Sequence, residues 1–355
     1  MTENIKKDRL RAFLIPMLSR FVFMSLQPSL TEKWGISKEF AEAKIPFDTE
    51  DIKALDQGGL SAGKLAENMA FILGCDPQFN FAKNYETFIH KIFGKELTEV
   101  LEARALKFIE EGDPLEAVSF LRSAGRLDSS SLSVAYNYGL LCRNIYEKPE
   151  ILSKYNLENI KAEIKRDEEA LETVIIGFFK AEAMETFEDI SVRWPNFSMA
   201  HYFLGYDYLN MGLYNKSNLS FRKFMELSEK ENIEERSKEI FKYRAEVGEL
   251  TERLRDPCQI EEGCNEVIRG RFKEGLKVLA LYEENEAYSK WWPMYFYLGM
   301  ARKELGLWEA AESTLKRVLK LNPVHKESME LLIDLYYIEG DQENLIKYRK
   351  KLELL

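Results

Sequence analysis

Histidine is almost missing from this chain and cysteine is scarce. The three histidines, His90, His201 and His325, are far apart, so none stands at the short spacing that a metal-binding helix requires. Cys75, Cys142, Cys258 and Cys264 form no CxxC pair, and only the last two are near each other. Such thiols read as packed side chains of a reducing, cytoplasmic compartment, not as a disulfide framework or a metal site. No HExxH helix or dinucleotide fingerprint occurs, and no nucleophile elbow is expected. The carboxylates fall mostly on solvated helix faces and define no acid/base pair. These absences point away from an enzyme and call for no cofactor.

An excess of basic charge is also missing. With 60 acidic and 50 basic residues the formal net charge is −10 and the isoelectric point about 5.2. Nucleic acid is thereby disfavoured, since phosphate contacts rely on clustered Lys and Arg. A neutral or basic protein or peptide surface is the better complement.

Long apolar runs are absent too. The nearest approach is Ala12 to Leu26, which follows Lys6, Lys7, Arg9 and Arg11 and is interrupted by Arg20. It is too short to span a bilayer, which needs about 20 apolar residues, and lacks a clear signal-cleavage site. The segment is expected to be a helix packed on its neighbours. The alternatives are surface contact with a membrane or partner through residues 12–26, or export.

Between Thr31 and Gly94 no sustained alternation argues for strands. Pro28, Pro46, Gly58, Gly59 and Pro77 punctuate short helical patterns, clearest over Ser61–Leu73 and Phe81–Phe93. Within GGLSAGKL, Gly58, Gly63 and Lys64 have the spacing of a phosphate-binding loop. Leu65 replaces the magnesium-binding Ser or Thr, so a turn capped by Ser61 is expected instead.

What is present is a repeat. In the stretch Trp292 to Pro323, Gly299 and Ala311 are small residues where two helices would cross, and Tyr295, Leu298 and Leu315 form the flanking apolar faces. Gly306 suits a left-handed turn between the helices, and Pro323 stops the second. These residues, with Trp308 and Val318, make the stretch resemble the tetratricopeptide repeat, a helix-turn-helix unit of roughly 34 residues. Related spacings begin at Thr98, at Leu132 and at about Ile164, where Ala183, Phe187, Ile190 and Pro195 carry the match. They recur at Ser198, with Leu204, Gly205, Tyr208, Gly212 and Phe221, then at Asp256 and at Lys326. In the unit at Thr98, Arg104 replaces a customary leucine; in the unit at Ser198, His201 takes a packing place.

Phase is lost over Ile233–Arg255, a long charged helix ended by Asp256 and Pro257. Its Ile240, Tyr243, Val247, Leu250 and Leu254 make one apolar stripe, which suits a spacer or buttress. The closing KYRKKLELL suits a helix with a polar outer face.

The expected fold is all-α: a tetratricopeptide-like α-solenoid, a right-handed superhelix of helix-turn-helix pairs, with an N-terminal helical domain. The expected divisions are 1–95 for that domain, 96–231 for repeats, 232–255 for the long helix, and 256–355 for further repeats and a cap. The resemblance implies a concave face lined by the first helices of the units. Its ligand-facing places hold Tyr136, Leu140, Met199, Tyr202, Tyr206, Leu209, Phe296 and Met300. Aromatic and methionine side chains at such places suit an extended peptide or a partner helix. The lysine and asparagine set that family members use for a C-terminal carboxylate is absent: Tyr136, Asn137 and Leu140 stand there in one unit, and Tyr202, Phe203 and Tyr206 in another. The implied function is a non-enzymatic scaffold for a protein or peptide partner. Alternatives are a peptide-sensing regulator with an N-terminal effector module, or an enzyme whose repeats recruit substrate. Removing Tyr202 and Tyr206 together is expected to leave stability nearly intact.

Overall fold

The computed structural model describes residues 8–25, 43–49, 61–155, 168–230 and 237–355. Lys6, Lys7, Leu26, Pro28, Thr31, Gly58, Gly59, Ile164 and Ile233, used above, lie outside them. The chain divides into two compact units, Met1–Ala200 and His201–Leu355.

The first unit begins with one helical turn, α1 (Arg11–Leu14), a 3₁₀ turn over Ile15–Arg20, and a strand, β1 (Phe21–Met24). The continuous helix expected over 12–26 does not form. Pro16 offers no backbone N–H, so the ladder begun at Arg11 cannot run through it. Phe21–Met24 then pairs antiparallel with β2 (Ile45–Asp48), Phe21 opposite Asp48 and Met24 opposite Ile45. This two-stranded ribbon corrects the expectation of no strands; the other regular elements among the described residues are helical. Arg20, which breaks the apolar run, is a tether: its guanidinium lies 4.3 Å from the Phe71 ring centroid and pairs with Asp48 at 3.1 Å and Glu116 at 2.6 Å.

The helices α2 (Ala62–Cys75), α3 (Ala82–Phe93), α4 (Leu97–Glu110), α5 (Pro114–Leu127), α6 (Leu132–Glu147) and α7 (Glu168–Arg193) follow. Ser61 caps α2 as expected, its Oγ accepting the Lys64 N–H at 3.1 Å. The run Met69–Cys75 is buried throughout, which makes α2 a core helix packed against α3, α5 and β2. Arg104 of α4 pairs with Glu67 of α2 at 3.5 Å, so this ion pair replaces the packing of a leucine.

The recurrent element is a pair of helices crossing at a small residue. In the second unit this holds for α9 (Tyr214–Lys230) against the helix before it, α8 (Ser198–Asn210), inside which the division between units falls. It holds again for α11 (Arg255–Ile268) with α12 (Phe272–Leu279), and for α13 (Trp292–Glu304) with α14 (Trp308–Leu321). A Cβ added to Gly205 would stand 2.3 Å from the Phe221 ring, one on Gly263 2.8 Å from Leu279, and one on Gly299 2.8 Å from Leu315. In all three pairs the partner follows its glycine at the same sequence spacing. The pair α15 (Lys326–Glu339) and α16 (Gln342–Glu353) ends the described chain. Gly306 has φ +74° and lets Leu307 N–H reach the Arg302 carbonyl at 2.9 Å, closing the end of α13 as its place in the repeat predicts.

The first unit departs from this spacing. Gly139 of α6 lies against Phe187 of α7, 3.0 Å from a built Cβ, although the two are much farther apart in sequence than any of those pairs. The units expected at Leu132 and at about Ile164 are therefore one pair, α6 with α7, holding a long insertion. Because that insertion is close to one repeat length, it preserves the phase of the next unit, which is why two units were expected.

Gly299→Leu should force Leu315, fully buried, out of the α13–α14 crossing and cost about 3 kcal/mol. Urea denaturation checks this; parental stability would mean the crossing is elsewhere.

The long helix is α10 (Ser237–Arg253). It ends before Asp256 and Pro257, which belong to α11, because Pro257 has no N–H to continue the ladder. Of the stripe, Ile240 and Val247 are buried and Tyr243 and Leu250 half-buried on α10, while Leu254, also buried, follows its last residue. Arg244 donates to the Met225 carbonyl at 2.7 Å and Ser228 Oγ at 2.8 Å, tying α10 to the end of α9.

Candidate functional site

The eight side chains expected to face a ligand differ in accessibility. In the first unit, Tyr136 and Leu140 of α6 are half-buried; the Tyr136 ring sits 5.0 Å from Phe197, edge-on. Met199 is buried. In the second unit Tyr202 is buried, while Tyr206 and Leu209 are half-buried. On α13, Phe296 is buried and Met300 half-buried. The exposure implied by the resemblance thus fails at Met199, Tyr202 and Phe296.

The cause is visible at two of these. Helix α10 lies over the α8 tyrosines: Tyr243 stands 4.7 Å from Tyr202, and Glu246 accepts a hydrogen bond from the Tyr206 hydroxyl. Burial, then the bond to Glu246, raises the Tyr206 pKa. The Phe296 ring is flanked by His325 at 4.8 Å and Tyr297 at 5.1 Å. His325 itself caps α15, its Nδ1 accepting the Ser328 N–H at 3.2 Å.

A second candidate, missed in the sequence, lies in the first unit. A cavity of ≈ 530 Å³ opens between α5, α6 and α7. Arg122 and Arg126 line it from α5, Tyr138 from α6, and Glu182, Glu185 and Asp189 from α7. Tyr136 and Leu140 are not among its lining residues. Asp8 and Arg9 bridge the two walls. Asp8 pairs with Arg122 at 2.5 Å, while Arg9 pairs with Glu182 at 3.3 Å and Glu185 at 2.6 Å. Tyr138 donates to Glu182 at 2.8 Å. Burial pushes the Tyr138 phenol well up, and the hydrogen bond to Glu185 raises Arg9, so the phenol stays protonated and the guanidinium charged. The available signal was like charge at helical spacing. Arg122 and Arg126 at i, i+4 repel unless an opposite wall faces them.

Little else is organised for chemistry. Gly59, Ser61 and Gly63 do stand at the spacing of a nucleophile elbow, which corrects the expectation that none occurs. Gly59 lies outside the described residues, and Ser61 Oγ caps α2. Among the described residues no group of three or more His, Cys, Asp or Glu side chains is placed to hold a metal ion, and no helix is long and apolar enough to cross a membrane. All four cysteines are free thiols; burial raises Cys75 and Cys264 to about 12.

No family model matches the chain, and no curated protein matches it. Solved structures do. The P58(IPK) TPR domain is 13% identical, with 92% of this chain and 80% of that one covered and a TM-score of 0.39. A tetratricopeptide repeat protein from Parabacteroides merdae is 16% identical, with 72% and 92% covered and a TM-score of 0.28. The TPR2AB domain of yeast Sti1, solved with pHSP90, is 12% identical, with 73% and 90% covered and a TM-score of 0.30. The all-α, tetratricopeptide-like fold assigned to this chain stands on its own helix crossings.

Proposed function

We propose that this chain is a non-enzymatic, cytoplasmic scaffold that holds a protein or peptide partner on the inner faces of its paired helices. The observation that carries the reading is the recurrence of half-buried Leu140, Tyr206 and Met300 at one equivalent place on three first helices, with Tyr136 and Leu209 half-buried on the same helices. Such side chains present apolar area and adaptable contacts without being lost wholly to the core. Buried Tyr202 packs against one of them, its ring 5.1 Å from that of Tyr206. The net charge of −10 favours a neutral or basic segment.

Selection of displayed peptides against the full chain tests this. Enrichment of apolar or basic sequences is expected, and Met300→Glu or Leu209→Glu should weaken the selected peptides about tenfold while the melting temperature stays near parental. No enrichment over an unrelated helical protein, or binders indifferent to both substitutions, would sink the proposal.

A further inference from the structure

The cavity between α5, α6 and α7 has walls of opposite sign, and the chain's own Asp8 and Arg9 each pair with one of them. Arg122 and Arg126 stand on one side, Glu182, Glu185 and Asp189 on the other. Arg122 is deeply set, with only 14% of its side chain exposed. One of its guanidinium nitrogens, Nη1, is buried without a hydrogen-bond partner. A fully accommodated arginine in such a place would have both terminal nitrogens engaged. The Asp8 carboxylate meets only Nη2.

The segment from Asp8 to Leu14 meets these walls with its first two residues, much as the charged end of a bound peptide would. Its acidic residue takes the cationic wall and its next residue, Arg9, takes two carboxylates of the anionic wall. Further along, Leu10, Phe13 and Leu14 are buried, the Phe13 ring 5.8 Å from Phe179 and 6.1 Å from Phe178 of α7. Asp8 also accepts the Leu10 N–H at 3.1 Å, which turns the chain from the charged contacts to the apolar ones. A charge pair gives direction and apolar anchors give area, the usual division of labour in peptide recognition.

We propose that this cleft is a binding site for a partner's peptide segment of acidic–arginine–apolar order, its charged walls being met in this structure by the chain's own Asp8 and Arg9, the charged end of an internal ligand that continues beside the cavity to Leu14. The site is separate from the inner-face places of the proposed scaffold and does not depend on that reading. Space beside the internal ligand and a spare donor on Arg122 give an incoming segment a place to begin exchange. Adjacent opposite charges on the ligand matched to opposite walls also impose an order: a segment with the two charges reversed meets like charge on both sides.

The test uses the full chain and a fluorescent peptide copying residues 5–15, IKKDRLRAFLI. Arg9→Ala removes two partly exposed ion pairs and leaves Leu10, Phe13 and Leu14 in place, so the fold should persist, as circular dichroism and melting would show. The peptide should bind Arg9→Ala at least tenfold more tightly than it binds the parent. The same peptide with its Asp and Arg exchanged should lose that affinity, and adding Glu185→Lys to the Arg9→Ala chain should abolish it. Should Arg9→Ala not fold, Arg9→Lys serves, with a smaller gain in the same direction. Equal binding by parent and variant, or equal binding of the two peptides, would overturn the proposal. Dimerisation of the parent that Arg9→Ala abolishes would assign the cleft to the arm of a second copy and overturn the partner reading.

Discussion

Gly74→Ala is expected to lower the stability of the chain by about 3 kcal/mol or more, the upper range for overpacking, and to do so through a single methyl group. A Cβ at Gly74 would lie 1.8 Å from the Ser119 carbonyl oxygen, 2.5 Å from its carbon and 2.9 Å from its Cα. All three are backbone atoms of α5, so no rotamer change relieves the clash. Ser119 cannot retreat cheaply either. Its Oγ donates to the Leu115 carbonyl at 3.0 Å and lies 3.3 Å from Cys75 Sγ, and the whole side chain is buried. Relief therefore requires α2 to separate from α5, which exposes the buried run Met69–Cys75. Gly177→Ala is the matched control. It lies on an exposed face of α7 with nothing within 4 Å of a built Cβ, and should gain about 0.5–1 kcal/mol from helix propensity. Urea denaturation followed by circular dichroism separates the two. If Gly74→Ala unfolded with the parent, the close approach of α2 and α5 would be refuted.

How much of this could be read in advance depended on how near each partner lies in sequence. Gly299 and Leu315 fall within one unit, so the residue types alone announce a crossing. Gly139 has its partner Phe187 beyond an insertion that nearly copies the repeat length, so correct periodicity led to one pair being counted as two. The strands Phe21–Met24 and Ile45–Asp48 pair with each other, and neither is long enough for alternation to show. The charged cleft was hidden for a related reason, since Arg122 and Glu182 are distant in sequence and look like ordinary solvated charges until α5 and α7 face each other across the cavity. Burial of Tyr202 was the most consequential omission. Its place in the repeat is a local property. What covers it is α10, the helix at which the repeat pattern stops.

Tyr202→Ala with Tyr206→Ala should consequently cost about 4 kcal/mol, the range for truncating buried aromatics, where the repeat pattern alone predicts almost nothing. The Tyr202 ring stands 4.7 Å from Tyr243, 5.1 Å from Tyr206 and 5.3 Å from Phe224, so its removal leaves a cavity shared by α8, α9 and α10. Tyr206 adds the hydrogen bond to Glu246 and an edge-on contact with the fully buried Phe221. Tyr206→Phe keeps the ring and loses only the bond, and should cost about 1 kcal/mol. Helix α10 reports the outcome directly. It is held by few apolar residues and by Arg244, so loss of the tyrosines should undock it before the rest of the unit melts. Amide exchange across Ser237–Arg253 should then rise toward unprotected rates while α13 and α14 stay protected. If the double variant melted with the parent and α10 kept its protection, the face of α8 would be open and Tyr202 free to meet a partner. If α10 undocks as expected, a partner using that face has to displace a helix of the same chain, and its affinity is lowered by whatever free energy that docking contributes.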